Sequence, residues 1–120
     1  MEHLPERDWK HLRTVHRAAL ERYCARALAD CASVTGNQSS TAHERFLALF
    51  RLVQHRNAEV ARTFDDLRRS TAIEHLLRMR HHGLVTDEEF AGFSSETQER
   101  VTSVERDLAP LGDGRRRNQR

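Results

Sequence analysis

Apolar side chains recur at steps of three and four residues along most of this chain, and this period constrains its fold more than any other feature. Such steps return a side chain to the same face of an α-helix, so the pattern predicts long amphipathic helices. The first stripe runs through Trp9, Leu12, His16, Leu20, Tyr23, Ala27, Cys31 and Val34. The second runs through Phe46, Leu49, Phe50, Val53, Asn57, Val60, Phe64 and Leu67. With only 5 Gly and 2 Pro, the chain lacks the turn formers of β-hairpins.

Capping boxes of the form Ser/Thr-x-x-Glu/Gln predict where the later helices begin. In such a box the first side chain accepts the backbone N–H of the fourth residue, whose own side chain returns to the first N–H. The boxes start at Thr41, Thr71, Thr86 and Ser95. The first helix is expected to start near Pro5, and the last to end at Pro110 and Gly112. The second helix either runs unbroken to Gly83 or breaks near Ser70, where the Thr71 box restarts it.

The expected architecture is all-α: a long antiparallel helical hairpin with a small C-terminal helix-turn-helix. A chain of 120 residues suits one domain, so residues 1–110 are assigned to a single helical domain. Residues 111–120, with four arginines, are assigned to a basic, flexible tail. Because two helices alone cannot cover such wide apolar stripes, we expect a helical bundle completed by dimerisation.

The net charge of +2 hides an uneven distribution along the chain. Residues 7–26 carry six basic and two acidic groups, whereas residues 83–114 carry two basic and eight acidic groups. Complementary segments of this kind orient helices within a chain or between chains.

Basic residues support an alternative function, association with nucleic acid. Its expected phosphate contacts are the tail residues Arg115, Arg116, Arg117 and Arg120. Further basic groups on the first two helices are Arg7, Lys10, Arg13, Arg17, Arg56, Arg62 and Arg69. Phosphate contacts of this kind weaken as salt rises. No recognition-helix pattern accompanies them, so a protein–protein interaction is the favoured function.

The stretch from Ile73 to Phe90 joins an amphipathic helix to Gly83, a Leu84-Val85-Thr86 step and an acidic turn that ends in Phe90. This order resembles the short C-terminal (SHOCT) hairpin found at the ends of many bacterial proteins. The resemblance covers about 18 of the 120 residues, and the chain continues through Phe93 instead of ending in a basic segment. It implies an element that mediates association. The whole chain also resembles small, uncharacterised bacterial helical proteins, which implies no function.

Four apolar residues of this region have two readings. Leu76, Leu84, Phe90 and Phe93 are either anchors that dock a partner or the core of the small helix-turn-helix, and the core is favoured.

Two polar residues lie on apolar stripes. His16 is either a hydrogen-bonded histidine at the edge of the core or a pH-sensitive group. Asn57, between Val53 and Val60, is either a residue that fixes helix register in an oligomer or a simple rim position.

Catalytic and metal-binding signals are missing from the sequence. No two of the eight histidines lie three or four residues apart, so a metal site would have to be assembled across helices. There is no Gly-x-Ser-x-Gly and no glycine-rich phosphate loop. We expect no enzyme activity, no cofactor and no bound metal.

The expected location is the cytoplasm, because no apolar run is long enough for a membrane span and the first residues lack a signal core. Cys24 and Cys31 lie about 10 Å apart along one helix, too far for a disulfide. They are expected to be buried thiols, with an intermolecular role as the alternative.

The expected function is therefore that of a non-enzymatic helical interaction or assembly module. Its expected partners are a second copy, giving a homodimer, and an unidentified protein; no membrane partner is expected.

Overall fold

The computed structural model describes the backbone of residues 4–118 and the side chains of residues 4–109. Five α-helices follow one another: α1 (Glu6–Thr35), α2 (Ala42–Phe64), α3 (Ala72–His81), α4 (Asp87–Ala91) and α5 (Ser95–Asn118). A single 3-10 turn, Arg69–Thr71, precedes α3, and the described chain contains no strand. The all-α fold class predicted from the periodicity is confirmed.

Helices α1 and α2 form the predicted long hairpin. α1 begins directly after Pro5, and the chain reverses at Gly36, whose N–H donates to the carbonyl of Ala32 at 2.9 Å. The predicted box at the start of α2 is present: Thr41 Oγ1 accepts the Glu44 N–H, and Glu44 accepts the Thr41 N–H. Both signals depend only on neighbouring residues, which is why the sequence shows them.

The break after α2 lies earlier than predicted. α2 ends at Phe64, because Asp65 is extended and Asp66 takes a left-handed φ of 65°. The alternative of an unbroken helix to Gly83 is therefore wrong, and the break near Ser70 is displaced. α3 restarts directly after Thr71, as the predicted box required, but the Thr71 side chain makes no capping bond; its hydroxyl instead accepts the Arg68 N–H and donates to the Arg68 carbonyl.

Helix α3 ends just before Gly83, where the sequence predicted a helix stop. Gly83 adopts a φ of 69°, its N–H donates to Arg80, and the Leu84 N–H donates back to Met79. This is a Schellman motif, in which a left-handed residue satisfies the last helical carbonyls. The predicted box at Thr86 and Glu89 then opens α4.

The start of α5 is capped one residue earlier than predicted. Ser94 Oγ, not Ser95, receives the Thr97 N–H at 3.3 Å. Ser94 also donates to the buried carboxylate of Asp8, which fixes it as the cap.

The far end of α5 differs from the sequence prediction as well. α5 extends to Asn118, past Pro110 and Gly112, where the sequence predicted its end. A proline removes one helical hydrogen bond and kinks some helices without ending them.

The core lies at one end of the hairpin, where α3, α4 and α5 pack against the first half of α1 and the last turn of α2. We call this region, residues 4–23 and 58–109, the body. Its buried apolar residues are Leu4, Leu12, Val15, Ala19, Tyr23, Phe64, Ala72, Leu76, Met79, Leu84, Phe93 and Val101. We call residues 24–57 the distal hairpin, and none of residues 24–62 is buried.

Candidate functional site

Large apolar side chains are exposed on the distal hairpin. The exposed fractions are 68% for Leu28, 69% for Phe46, 56% for Phe50 and 49% for Val53. We call these four residues the apolar face. Folding normally hides side chains of this size, so the face is a candidate contact surface.

Helical geometry places Leu28 on the side of α1 away from the body and groups the three α2 residues on one side of α2. At 3.6 residues per turn, Leu28 lies about two and a half turns after the buried Ala19, and therefore on the opposite side of α1. On α2, Phe46, Phe50 and Val53 follow one another at steps of four and three residues and share a side. The exposed fractions of these four side chains show that α3, α4 and α5 leave them uncovered.

A polar cleft of about 610 Å³ lies on the other face, between α1, α2 and the end of α3. It is lined by Tyr23, Arg26, Ala29, Asp30, Arg56, Glu59, His81 and His82. Arg56 donates to Asp30 at 2.6 Å, and the Tyr23 hydroxyl donates to Glu59. Arg26 donates to the carbonyls of His82 and Gly83, both at 2.9 Å.

Electrostatics in the polar cleft follow from these contacts. The hydrogen bond from Tyr23 lowers the pKa of Glu59 more than burial raises it, whereas burial and the same bond raise the pKa of Tyr23. Burial also lowers the pKa of His82. The side chains that line the cleft bond to one another and to backbone carbonyls. They form a polar network that joins α1, α2 and the end of α3.

His16 lies at the edge of the core. Its Nε2 donates to the carbonyl of Phe64 at 2.9 Å, and His75 Nδ1 donates to the preceding carbonyl, of Thr63, at 2.8 Å. The two rings are 6.2 Å apart. Burial lowers the pKa of His16 more than the bond to Phe64 raises it. This matches the hydrogen-bonded edge-of-core reading, and pH sensing stays a prediction.

Asn57 is exposed in the single chain. It continues the line of Phe46, Phe50 and Val53 along α2, and its side chain makes no hydrogen bond within the described residues. It is therefore not buried as Val53 and Val60 suggested, and a register role requires a second molecule on this face.

The four proposed docking anchors lie in or beside the core. Leu76 and Leu84 are fully buried and Phe93 is 1% exposed, so these three do not offer a docking surface. Their burial agrees with the core reading that the sequence favoured. Phe90 is half-buried, with the Arg80 guanidinium 3.7 Å above its ring centre.

Several arginines expected at phosphates are engaged within the fold. Arg56 pairs with Asp30, and Arg69 donates to Glu6 and to the carbonyl of Leu4. Side chains of Arg115, Arg116 and Arg117 lie outside the described part, as does Arg120. Nucleic-acid association therefore stays a prediction.

Other site classes give no candidate among the described residues. Cys24 and Cys31 are half-buried free thiols, more exposed than expected. No cluster of three or more His, Cys, Asp or Glu side chains there has the arrangement of a metal site. No helix in the same part of the chain has the length and hydrophobicity of a membrane span.

Two features escaped the sequence analysis. Asp8 is a fully buried carboxylate, and the Tyr23–Glu59 pair joins α1 to α2 across the cleft. Asp8 lies beside the apolar positions Trp9 and Leu12, so a charge next to an apolar stripe was the available signal. No sequence signal marked their partners, which lie 36 residues from Tyr23 and 86 or more residues from Asp8.

Comparison of the chain with protein-family models, curated proteins and solved structures finds no match. The resemblance of residues 73–90 to the SHOCT hairpin accordingly stays a prediction.

Proposed function

We propose that this protein is a non-enzymatic helical assembly module that forms a homodimer through the apolar face of its distal hairpin. One observation carries the proposal: Leu28, Phe46, Phe50 and Val53 are about half to two-thirds exposed in a stretch without a single buried residue. A two-helix layer has no interior of its own, so a second layer is needed to bury these side chains.

The size of the face suits a dimer. Side chains of this kind carry on the order of 150–200 Å² each, so the four residues expose roughly 400 Å² per copy. Together with the flanking alanines and leucines of two copies, the buried area approaches the ~1,200 Å² of small specific interfaces.

A second copy suits the face better than a charged partner does. The α2 line through Phe46, Phe50, Val53, Asn57 and Val60 carries no charge. A two-fold interface must be complementary to itself, and an uncharged apolar surface meets that condition without like-charge contacts. The second hairpin also supplies two helices of matching length, which completes a four-helix layer pair.

The direct test is the substitution Phe50→Glu. In the single chain this side chain is 56% exposed, so the variant should fold with the helicity of the wild type. In the dimer it buries a carboxylate against an apolar surface, and we expect the dissociation constant to rise by on the order of 100-fold. Sedimentation equilibrium measures both proteins.

Arg51→Glu is the matched control, because Arg51 is exposed on the same helix but about 100° or more away from Phe50 and Val53. We expect its dissociation constant to change by less than about threefold. Equal dimerisation of wild type and Phe50→Glu would refute the assigned surface. The expected cytoplasmic location remains a prediction of the sequence.

A further inference from the structure

We infer that the two copies pack antiparallel, with Leu28 and Val53 near the two-fold axis and the two bodies at opposite ends. This arrangement rests on the homodimer proposed above and specifies how its two apolar faces meet.

The side of α1 that carries Leu28 changes from charged to uncharged along the helix. Lys10 lies five full turns before Leu28 and therefore on the same side of α1, and Arg17 lies within about 20° of that side. Both are exposed, as is Glu21 between Arg17 and Leu28. The open side of α1 is thus charged beside the body and uncharged on the distal hairpin.

Because of this change along α1, two-fold symmetry favours one orientation of the two copies over the other. In a parallel dimer the two-fold axis runs along the helices, so each residue meets its own copy. Arg17 would face Arg17, and Glu21 would face Glu21, and like charges in contact destabilise an interface. In an antiparallel dimer the two apolar faces overlap, and neither Arg17 nor Glu21 faces its own copy.

The position of the axis follows from the contacts between α1 and α2. Asp30 bonds Arg56, and Tyr23 bonds Glu59, so Leu28 lies near the level of Asn57, about 6 Å from Val53 along the hairpin. Val53 is also the midpoint of the line from Phe46 to Val60, with seven residues on either side. Antiparallel packing about Val53 places Phe46 of each copy against Val60 of the other.

The distance between the two hairpin turns tests this arrangement. Gln38 is exposed in the turn and lies about 18 Å beyond Val53 along the hairpin. A nitroxide attached through Gln38→Cys, in a chain with Cys24→Ala and Cys31→Ala, gives the distance by pulsed electron paramagnetic resonance. We expect about 35–40 Å for the antiparallel dimer and under about 20 Å for a parallel one.

A second label at the exposed Thr14 reports from the other end of α1, about 21 Å from Leu28. Antiparallel packing about Val53 predicts about 45–55 Å there, whereas parallel packing brings these labels together too. The same labels with Phe50→Glu provide the monomer control. Short distances at both sites in a dimeric sample would overturn the antiparallel arrangement and leave the homodimer intact. A monomeric wild type would contradict both the antiparallel arrangement and the homodimer.

Discussion

Asp8 shows how one charged residue ties the two ends of the chain together. Its carboxylate is fully buried and accepts the Ser94 N–H at 2.9 Å. It also accepts the hydroxyls of Ser94 and Thr97, both at 2.6 Å. The carboxylate therefore lies at the N-terminus of α5, where helix N–H groups and the helix dipole favour negative charge.

Replacing Asp8 with Asn should destabilise the fold and change its pH dependence. Burial raises the pKa of Asp8, but the hydrogen bonds from Ser94 and Thr97 lower it more. A lowered pKa means that the stabilisation is present above the ordinary carboxyl pKa and is lost as pH falls through the folded-state value. We expect Asp8→Asn to lower the free energy of unfolding by about 2 kcal/mol at pH 7, measured by urea denaturation.

The same measurement from about pH 5 downward completes this test. The difference between wild type and Asp8→Asn should shrink as the wild-type carboxylate is protonated. Asp107→Asn, at an exposed position of α5, serves as the control and should change stability little. An undiminished difference at low pH would show that the charge of Asp8 is not what stabilises α5.

At the scale of elements, the ends of α2 and α3 are completed by side chains from other helices. Arg78, His75 and His16 donate to three successive carbonyls of the last turn of α2, those of Arg62, Thr63 and Phe64. Arg26 of α1 donates to the carbonyls of His82 and Gly83, directly after the end of α3, both at 2.9 Å. These bonds satisfy helix ends that local sequence leaves open.

Gly83 is required by its backbone conformation. An added Cβ would meet nothing within 4 Å, so the cost of Gly83→Ala comes from the φ of 69° alone. We expect a loss of about 1–2 kcal/mol in the free energy of unfolding, measured by thermal or urea denaturation.

Gly36→Ala is the comparison for Gly83→Ala, because Gly36 also ends a helix but has a φ of −90°. Its Cβ would approach the Ala32 carbonyl at 3.2 Å, which small shifts relieve. We expect a change of under about 0.5 kcal/mol. Equal losses at the two glycines would contradict the conformational explanation.

The elements that sequence predicts well are those set by neighbours. The Thr41–Glu44 and Thr86–Glu89 boxes and the turn at Gly83 depend on residues at most five positions apart, and all three are present. The break at Asp65 and the cap at Ser94 depend on His16, His75 and Asp8, which are distant in sequence. Local pattern therefore misplaced them by one to several residues.

On the scale of the whole molecule, the chain divides into a packed body and an open hairpin. Periodicity identified the apolar stripes and implied that they exceed what one hairpin can cover. It did not show which part stays open, because that depends on where α3, α4 and α5 dock. They cover the first half of α1 and bury Leu76, Leu84 and Phe93, so the exposed residues are Leu28, Phe46, Phe50 and Val53.

Absolute mass in solution tests the homodimer most directly. Light scattering of the wild type over a dilution series, at low and high salt, should give twice 13.9 kDa at high protein concentration. Because the proposed contact is apolar, raising the salt should not dissociate it. A mass of 13.9 kDa at every concentration and salt would contradict the homodimer and leave the apolar face to another partner.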